Sequence, residues 1–155
     1  MEATTSRRAP RLLDETELAA WRGLLRLHSA LTKDLDAQLV AGHRMSLSTY
    51  EVLLFLNDAP DGRLRMSELA DSVLLSRSGL TRLVDRLQRE GLLERDTCTE
   101  DARGAFAVIT EEGRAVFCAA RATHLDGVRE LFLRHFTIEE LEQLGEMWDR
   151  VFDAR

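Results

Sequence analysis

The chain has 155 residues, of which 45% are apolar and 31% are charged, and its formal net charge is −6. This composition is that of an ordinary globular protein, and the length fits one domain or a small domain with added dimerisation helices. The longest apolar run, residues 115–120, is far shorter than the roughly 20 residues that cross a bilayer, and two cysteines do not indicate a disulfide framework. Because residues 1–10 contain no apolar signal segment, we expect a cytoplasmic protein with no membrane partner.

The N-terminal third predicts an arm followed by two helices. Residues 1–10 are expected to be a disordered, mildly basic arm. From about residue 14 to 41 apolar side chains recur at helical spacing, and Gly42 is expected to end this helix. A second helix is expected after Ser48, ending at the turn cluster of residues 58–62. The positions on the predicted stripe of the first helix are Leu18, Trp21, Leu24, Leu25, His28, Leu31, Leu35 and Leu39.

Residues 66–91 predict a helix-turn-helix. A short helix breaks at residues 74–75, and Ser76 is a good N-cap for a second helix because its hydroxyl can accept a bond from an unpaired backbone N–H. Gly91 stands where a helix end needs a positive φ. The predicted buried stripe of the second helix is Leu80, Leu83, Val84 and Leu87. Its opposite face carries Arg77, Ser78, Thr81, Arg82, Arg86 and Arg89.

The charge on that second helix favours DNA. Residues 76–89 hold four arginines and only one acid, Asp85, so the local charge is positive although the chain is acidic. Affinity for phosphate depends on the charges that reach the backbone, not on the global sum. An arginine-rich helix face is often merely solvated, but a tight turn before it and strands after it suit insertion into a major groove.

The remaining elements are a β-hairpin and two helices. Two strand-like runs follow Gly91 and are joined by a polar tip that contains Asp101 and Arg103. One helix is expected from about residue 111 to 134 and another from about 138 to 152, with Thr137 and Glu140 forming a capping box. A compact winged-helix core cannot bury the stripes of these terminal helices. We therefore expect them to pack against a second subunit.

In this order, these segments resemble the MarR (multiple antibiotic resistance regulator) family of bacterial transcription regulators. The matching residues are 67–70, 76–87, 91–95, 101–104, and Thr110 before Gly113. The resemblance implies a mainly α protein with a small β-hairpin wing (α+β), a winged helix-turn-helix with N- and C-terminal dimerisation helices. Residues 11–155 would form one domain, with a DNA-binding lobe at about 45–110 and dimerisation helices at about 11–42 and 111–155.

The resemblance also implies a function. A homodimer would bind a pseudo-palindromic site in double-stranded DNA, most often as a repressor, and a small, often aromatic or phenolic, molecule would release it. A redox regulator switched through an accessible Cys98 or a buried Cys118 is one alternative, and a ligand-independent architectural DNA binder is another. The scattered histidines and the lack of a phosphate loop or catalytic triad predict no metal, no cofactor and no enzyme activity.

The candidate site residues fall into three groups. Side chains on the first two turns of the second helix would read bases: Arg77, Ser78, Thr81 and Arg82. The resemblance places Arg103 in a minor groove, with Asp101 holding an arginine, and Arg65, Ser76, Arg86 and Arg95 complete the DNA-binding set. Trp21, Arg22 and His28 are candidates to line an effector cleft, although interface packing is the simpler account of Trp21 and a core or interface position is the simpler account of His28.

Overall fold

The computed structural model describes residues 11–73, 75–96 and 105–154, and its architecture is the one that the sequence predicts. The helices are α1 (Glu15–His43), α2 (Leu47–Asp58), α3 (Met66–Ser72), α4 (Arg77–Arg89), α5 (Glu111–Leu131) and α6 (Ile138–Phe152). The strands are β1 (Arg63–Arg65), β2 (Leu93–Asp96) and β3 (Phe106–Ile109). Short 3-10 turns lie at Pro60–Gly62 and Leu133–His135. The predicted arm at residues 1–10 lies outside the described residues.

The three strands form one antiparallel sheet in the order β1-β3-β2. In its register Leu64 is opposite Ala107 and Leu93 is opposite Ile109. The sequence predicts β2 and β3 but not β1, which has only three residues and runs directly into α3. Pairing with β3, a distant segment, makes β1 a strand, and no local pattern signals such a pairing.

The predicted capping residues lie at the ends of α4 and at the start of α6. The Ser76 hydroxyl accepts a hydrogen bond from the Gly79 amide at 3.1 Å and so begins α4 as expected. Gly91 has the predicted positive φ, 75°. At α6 the predicted capping box is present, because the Thr137 hydroxyl accepts from the Glu140 amide and the Glu140 carboxylate accepts from the Thr137 amide.

Three predicted helix boundaries are wrong. α1 continues through Gly42 to His43, and Arg44 takes the left-handed conformation (φ 53°) while its N–H bonds the carbonyls of Leu39 and Val40. α2 begins two residues earlier than expected, because Ser46 rather than Ser48 caps it. α5 ends at Leu131, three residues before the expected end, and a 3-10 turn follows.

The hydrophobic core lies between α2, α3, α4, the sheet and α5. Its fully buried side chains include Tyr50, Leu53, Leu56, Leu69, Leu80, Val84, Leu87, Leu93 and Phe117. From α1 only Leu35 and Leu39 are buried, and α6 has no buried residue. The core therefore supports α4 from behind, while the outer half of α1 and all of α6 lie on the surface. No helix in the described ranges is long and apolar enough to span a membrane.

Candidate nucleic-acid interface

The helix α4 has one buried and one exposed face. Leu80, Val84 and Leu87 are buried in the core and Leu83 is half-buried, as the spacing predicts. The predicted base-reading side chains are all exposed on the first two turns: Arg77, Ser78, Thr81 and Arg82. Thr81 also donates its hydroxyl hydrogen to the Arg77 carbonyl at 2.9 Å, so its oxygen keeps acceptor capacity for an outside partner.

The C-terminal half of α4 is tied back to the protein. Arg86 donates from Nη2 to the Thr49 hydroxyl at 2.9 Å, and its Nε lies 3.8 Å from a Glu90 carboxylate oxygen. Arg95 on β2 pairs with Asp85 of α4 at 2.7 Å. These contacts engage two of the arginines that the sequence assigns to DNA, and their DNA contacts stay predictions.

Two arginines of β1 lie against one aromatic ring of β3. The guanidinium carbons of Arg63 and Arg65 lie 4.1 and 4.8 Å from the centre of the Phe106 ring, and Arg63 also pairs with Asp96 at 3.3 Å. The sequence analysis did not place Arg63 beside Arg65 on one face of a strand. The alternation Arg-Leu-Arg was the available signal, since residues two apart share one face of a strand.

The start of α3 is better capped than the sequence suggests. Arg65 is at the N-cap position and offers no hydroxyl or carboxylate, so its side chain is a poor helix cap. The Glu68 carboxylate instead accepts from the Arg65 amide at 2.9 Å.

The predicted wing tip lies outside the described residues. Cys98, Asp101 and Arg103 all fall between residues 97 and 104, and the described hairpin ends with Asp96 opposite Phe106. The roles given to these three residues stay predictions.

A cavity of about 470 Å³ lies between α1 and α2. Of the three predicted effector residues only His28 lines it, while Trp21 and Arg22 lie exposed further toward the start of α1. Burial raises the pKa of the Glu51 carboxyl, and nearby His28 offsets part of that rise. The lining residues are His28, Ser29, Thr32, Lys33, Asp36, Leu47, Ser48 and Glu51.

Two expectations of burial are wrong in the single chain. His28 is exposed, because α1 buries only the stripe through Leu35 and Leu39 near its C-terminal end. Cys118 is exposed as well. Phe117 and Ala120 point α5 into the core, and a residue one step from Phe117 is turned about 100° away from that face.

Apolar side chains are concentrated on the exposed parts of α1 and α6. Trp21 is 53% exposed, and a row of large apolar side chains on α6 shares this property. Large exposed apolar side chains grouped on a helix are typical of an interaction face. They include Trp21, Leu24, Leu25, Leu27 and Val40 on α1, and Ile138, Met147, Trp148, Val151 and Phe152 on α6.

Comparison with known proteins agrees with this geometry. A sequence model described as MarR family matches residues 45–104. The HTH-type transcriptional repressor YetL of Bacillus subtilis is 30% identical over 115 residues, covering 72% of this chain and 68% of YetL. Sco3205, a MarR family transcriptional regulator from Streptomyces coelicolor solved in complex with DNA, superposes with a TM-score of 0.85 at 35% identity, covering 94% of this chain and 91% of that one. AbsC, another such regulator from S. coelicolor, gives a TM-score of 0.84 at 31% identity, covering 94% and 97%.

Proposed function

The chain belongs to the MarR family of transcription regulators, and on that premise we propose that it is a homodimeric repressor that binds a pseudo-palindromic operator and is released by a small molecule. Its relatives are regulators of transcription, not enzymes. The observation that carries the proposal is α4, which is capped by Ser76, backed by the core and exposed along two N-terminal turns. Because its DNA partner is chromosomal, the dimer acts in the cytoplasm.

The contacts with DNA are divided between base edges and backbone. Arg77, Ser78, Thr81 and Arg82 are placed where recognition helices reach base edges, and an arginine there can bond both acceptors of a guanine. Arg65 and Ser76, near the starts of α3 and α4, contact phosphates. Arg103 enters the minor groove beside Asp101, because the narrow groove has an enhanced negative potential. The lobe that carries these residues spans about 45–110.

The homodimer is formed by α1, α5 and α6. Support comes from the apolar side chains that α1 and α6 leave on the surface of a single chain. A symmetric pair buries the same patch from both subunits, so one set of residues serves both sides. In this proposal residues 11–42 and 111–155 are the dimerisation helices.

The cavity between α1 and α2 holds the effector. Its volume of about 470 Å³ falls within the range of small-molecule sites, and His28, Lys33 and Glu51 offer polar groups that can fix the orientation of a ligand. The exposed Cys118 supports a redox switch as a second candidate.

A binding assay with purified protein tests the proposal. Fluorescently labelled DNA from upstream of the protein's own gene is titrated beside a scrambled duplex of equal length. Tighter binding of the upstream duplex supports a sequence-specific regulator, and equal binding of both contradicts it. Loss of binding on addition of an aromatic acid or a purine supports the effector, whereas loss with peroxide and recovery with thiol supports the redox alternative.

A further inference from the structure

One buried hydroxyl joins the start of α2 to the recognition helix α4. Thr49 is 4% exposed, and its side-chain oxygen lies 3.0 Å from the Ser46 hydroxyl that caps α2. The same oxygen accepts the 2.9 Å hydrogen bond from Arg86 of α4. Thr49, Ser46 and Arg86 therefore form one connected set of hydrogen bonds, which we call the clamp.

The clamp holds the guanidinium of Arg86 toward α2. The Nε of Arg86 also lies 3.8 Å from Glu90, one turn further along α4. Turning Arg86 outward to a phosphate would break its bond to Thr49 and separate it from this carboxylate. A charged hydrogen bond to a buried acceptor is among the stronger kinds, so the inward position is favoured.

The opposite side of the same helical turn borders the cavity. The Leu47 amide donates to the Asp36 carboxylate of α1 at 2.8 Å. Asp36, Leu47 and Ser48 all line the cavity. The first turn of α2 is thus bonded to α1 on the cavity side and to α4 on the other side.

We infer that Arg86 is a positioning residue that fixes the recognition helix against the first turn of α2, and that this turn couples the cavity to α4. This inference rests on the proposed function, because the cavity and α4 matter only if the protein binds DNA and an effector. It gives Arg86 a supporting role in place of the DNA contact expected from the sequence. Binding in the cavity that moves Leu47 would move the anchor of α4 with it.

The test combines two substitutions that break the clamp from opposite ends. Thr49→Val removes the hydroxyl without changing side-chain shape, and Arg86→Gln removes the guanidinium. Each substitution is expected to weaken binding of the upstream duplex about two- to tenfold, the range of one hydrogen bond. The double variant should bind no more weakly than the weaker-binding of the two single variants. The salt dependence of DNA binding should stay unchanged in these variants. Thr49→Ser, which keeps the hydroxyl, should bind the duplex with the wild-type affinity. Hydrogen exchange of the α4 amides in the free protein should quicken in both single variants.

Arg89→Gln is the matched control, since it removes the same charge from the same helix. Among the described residues, the Arg89 side chain bonds only the Asp85 carbonyl of α4 itself. It should leave the exchange of the α4 amides at the wild-type rate. If Arg86→Gln instead reduces the salt slope by about one unit while Thr49→Val changes nothing, Arg86 is a phosphate contact and the inference is wrong. Effects of Thr49→Val and Arg86→Gln that multiply in the double variant also overturn it.

A second cycle tests the cavity side. Asp36→Ala removes the acceptor of the Leu47 amide, and its effect on DNA affinity should combine with that of Thr49→Val to less than the product of the two. Effects that multiply would show that the turn does not connect the cavity with α4. If the wild-type protein prefers no duplex, the proposed function fails, while exchange of the α4 amides still decides whether the clamp holds the helix.

Discussion

Arg82 is the arginine of α4 that best separates base reading from charge. It is exposed on the second turn of α4, and its side chain forms no hydrogen bond or ion pair with the described residues. Arg82→Ala is expected to cost about 1–3 kcal/mol on the operator and much less on scrambled DNA. The measurement is a titration of both duplexes across a salt series.

Arg89→Ala serves as the comparison for Arg82, because it lies two turns further from the start of α4. It should weaken both duplexes alike and reduce the salt slope by about one unit. Equal losses on both duplexes for Arg82→Ala would remove its base-reading role and make Arg77 the better candidate.

His124 makes stability depend on pH. The centre of its ring lies 4.3 Å from that of Tyr50, and its buried Nδ1 has no hydrogen-bond partner among the described residues. Burial lowers the pKa of the imidazole below its usual value. As pH falls through about 6.5, the unfolded chain takes up the proton before the folded one, so stability is lost.

The variant His124→Phe keeps the ring stacked on Tyr50 and removes the titration. Between pH 7.5 and 5.5 its melting temperature should fall less than that of the wild type. Glu51, whose pKa burial raises, acts in the opposite direction, but it is present in both proteins and cancels in the difference. If the melting temperatures of the wild type and of His124→Phe fall equally across this pH range, His124 is not responsible for the pH dependence.

Elements whose signals are local could be predicted from the sequence. Ser76, Gly91 and Thr137 act on backbone groups within three residues. Their positions therefore give both ends of α4 and the start of α6 correctly. β1 could not be predicted, because it depends on pairing with β3 more than forty residues away. The left-handed conformation at the end of α1 falls on Arg44, two residues after Gly42, although local rules prefer a glycine for that place.

The candidate site divides in the same way. The exposed face of α4 follows from helical spacing alone, whereas the clamp and the cavity depend on how α1, α2 and α4 pack together. His28 and Cys118 were expected to be buried and are exposed in the single chain. This could not be foreseen, because an apolar stripe in the sequence does not say which half of a helix meets the core.

α6 tests the proposed dimer at the level of one element. Trp148 is exposed in a row of apolar residues, so Trp148→Glu should place a charge in the interface and shift the protein to monomers. Glu146→Lys changes a charge about 160° around the helix from Trp148 and should leave the dimer intact. Sedimentation velocity gives the oligomeric state, and circular dichroism checks that the helices persist. Monomers for both variants, or for neither, would argue against an interface on this face.

At the scale of the molecule, the charges and the apolar surface lie in different places. Four arginines are on α4, while most of the large exposed apolar residues are on α1 and α6. One subunit can therefore contact DNA with one lobe while its terminal helices contact a partner. Weak contacts from one lobe become tight binding only when two lobes engage the same duplex, because the second contact is then intramolecular.

This arrangement makes the spacing of the half-sites a strict requirement. Two recognition helices related by a two-fold axis should meet major grooves about one helical turn apart, so the half-site centres should lie roughly 10 bp apart. Inserting five base pairs at the centre of the operator turns one half-site to the opposite face of the duplex and should abolish tight binding, whereas substituting the central base pairs without changing the length should cost far less. Titration of the three duplexes measures both effects. Affinity that survives the insertion would mean that the two lobes bind independently, and the proposed dimer would then not be the unit that recognises DNA.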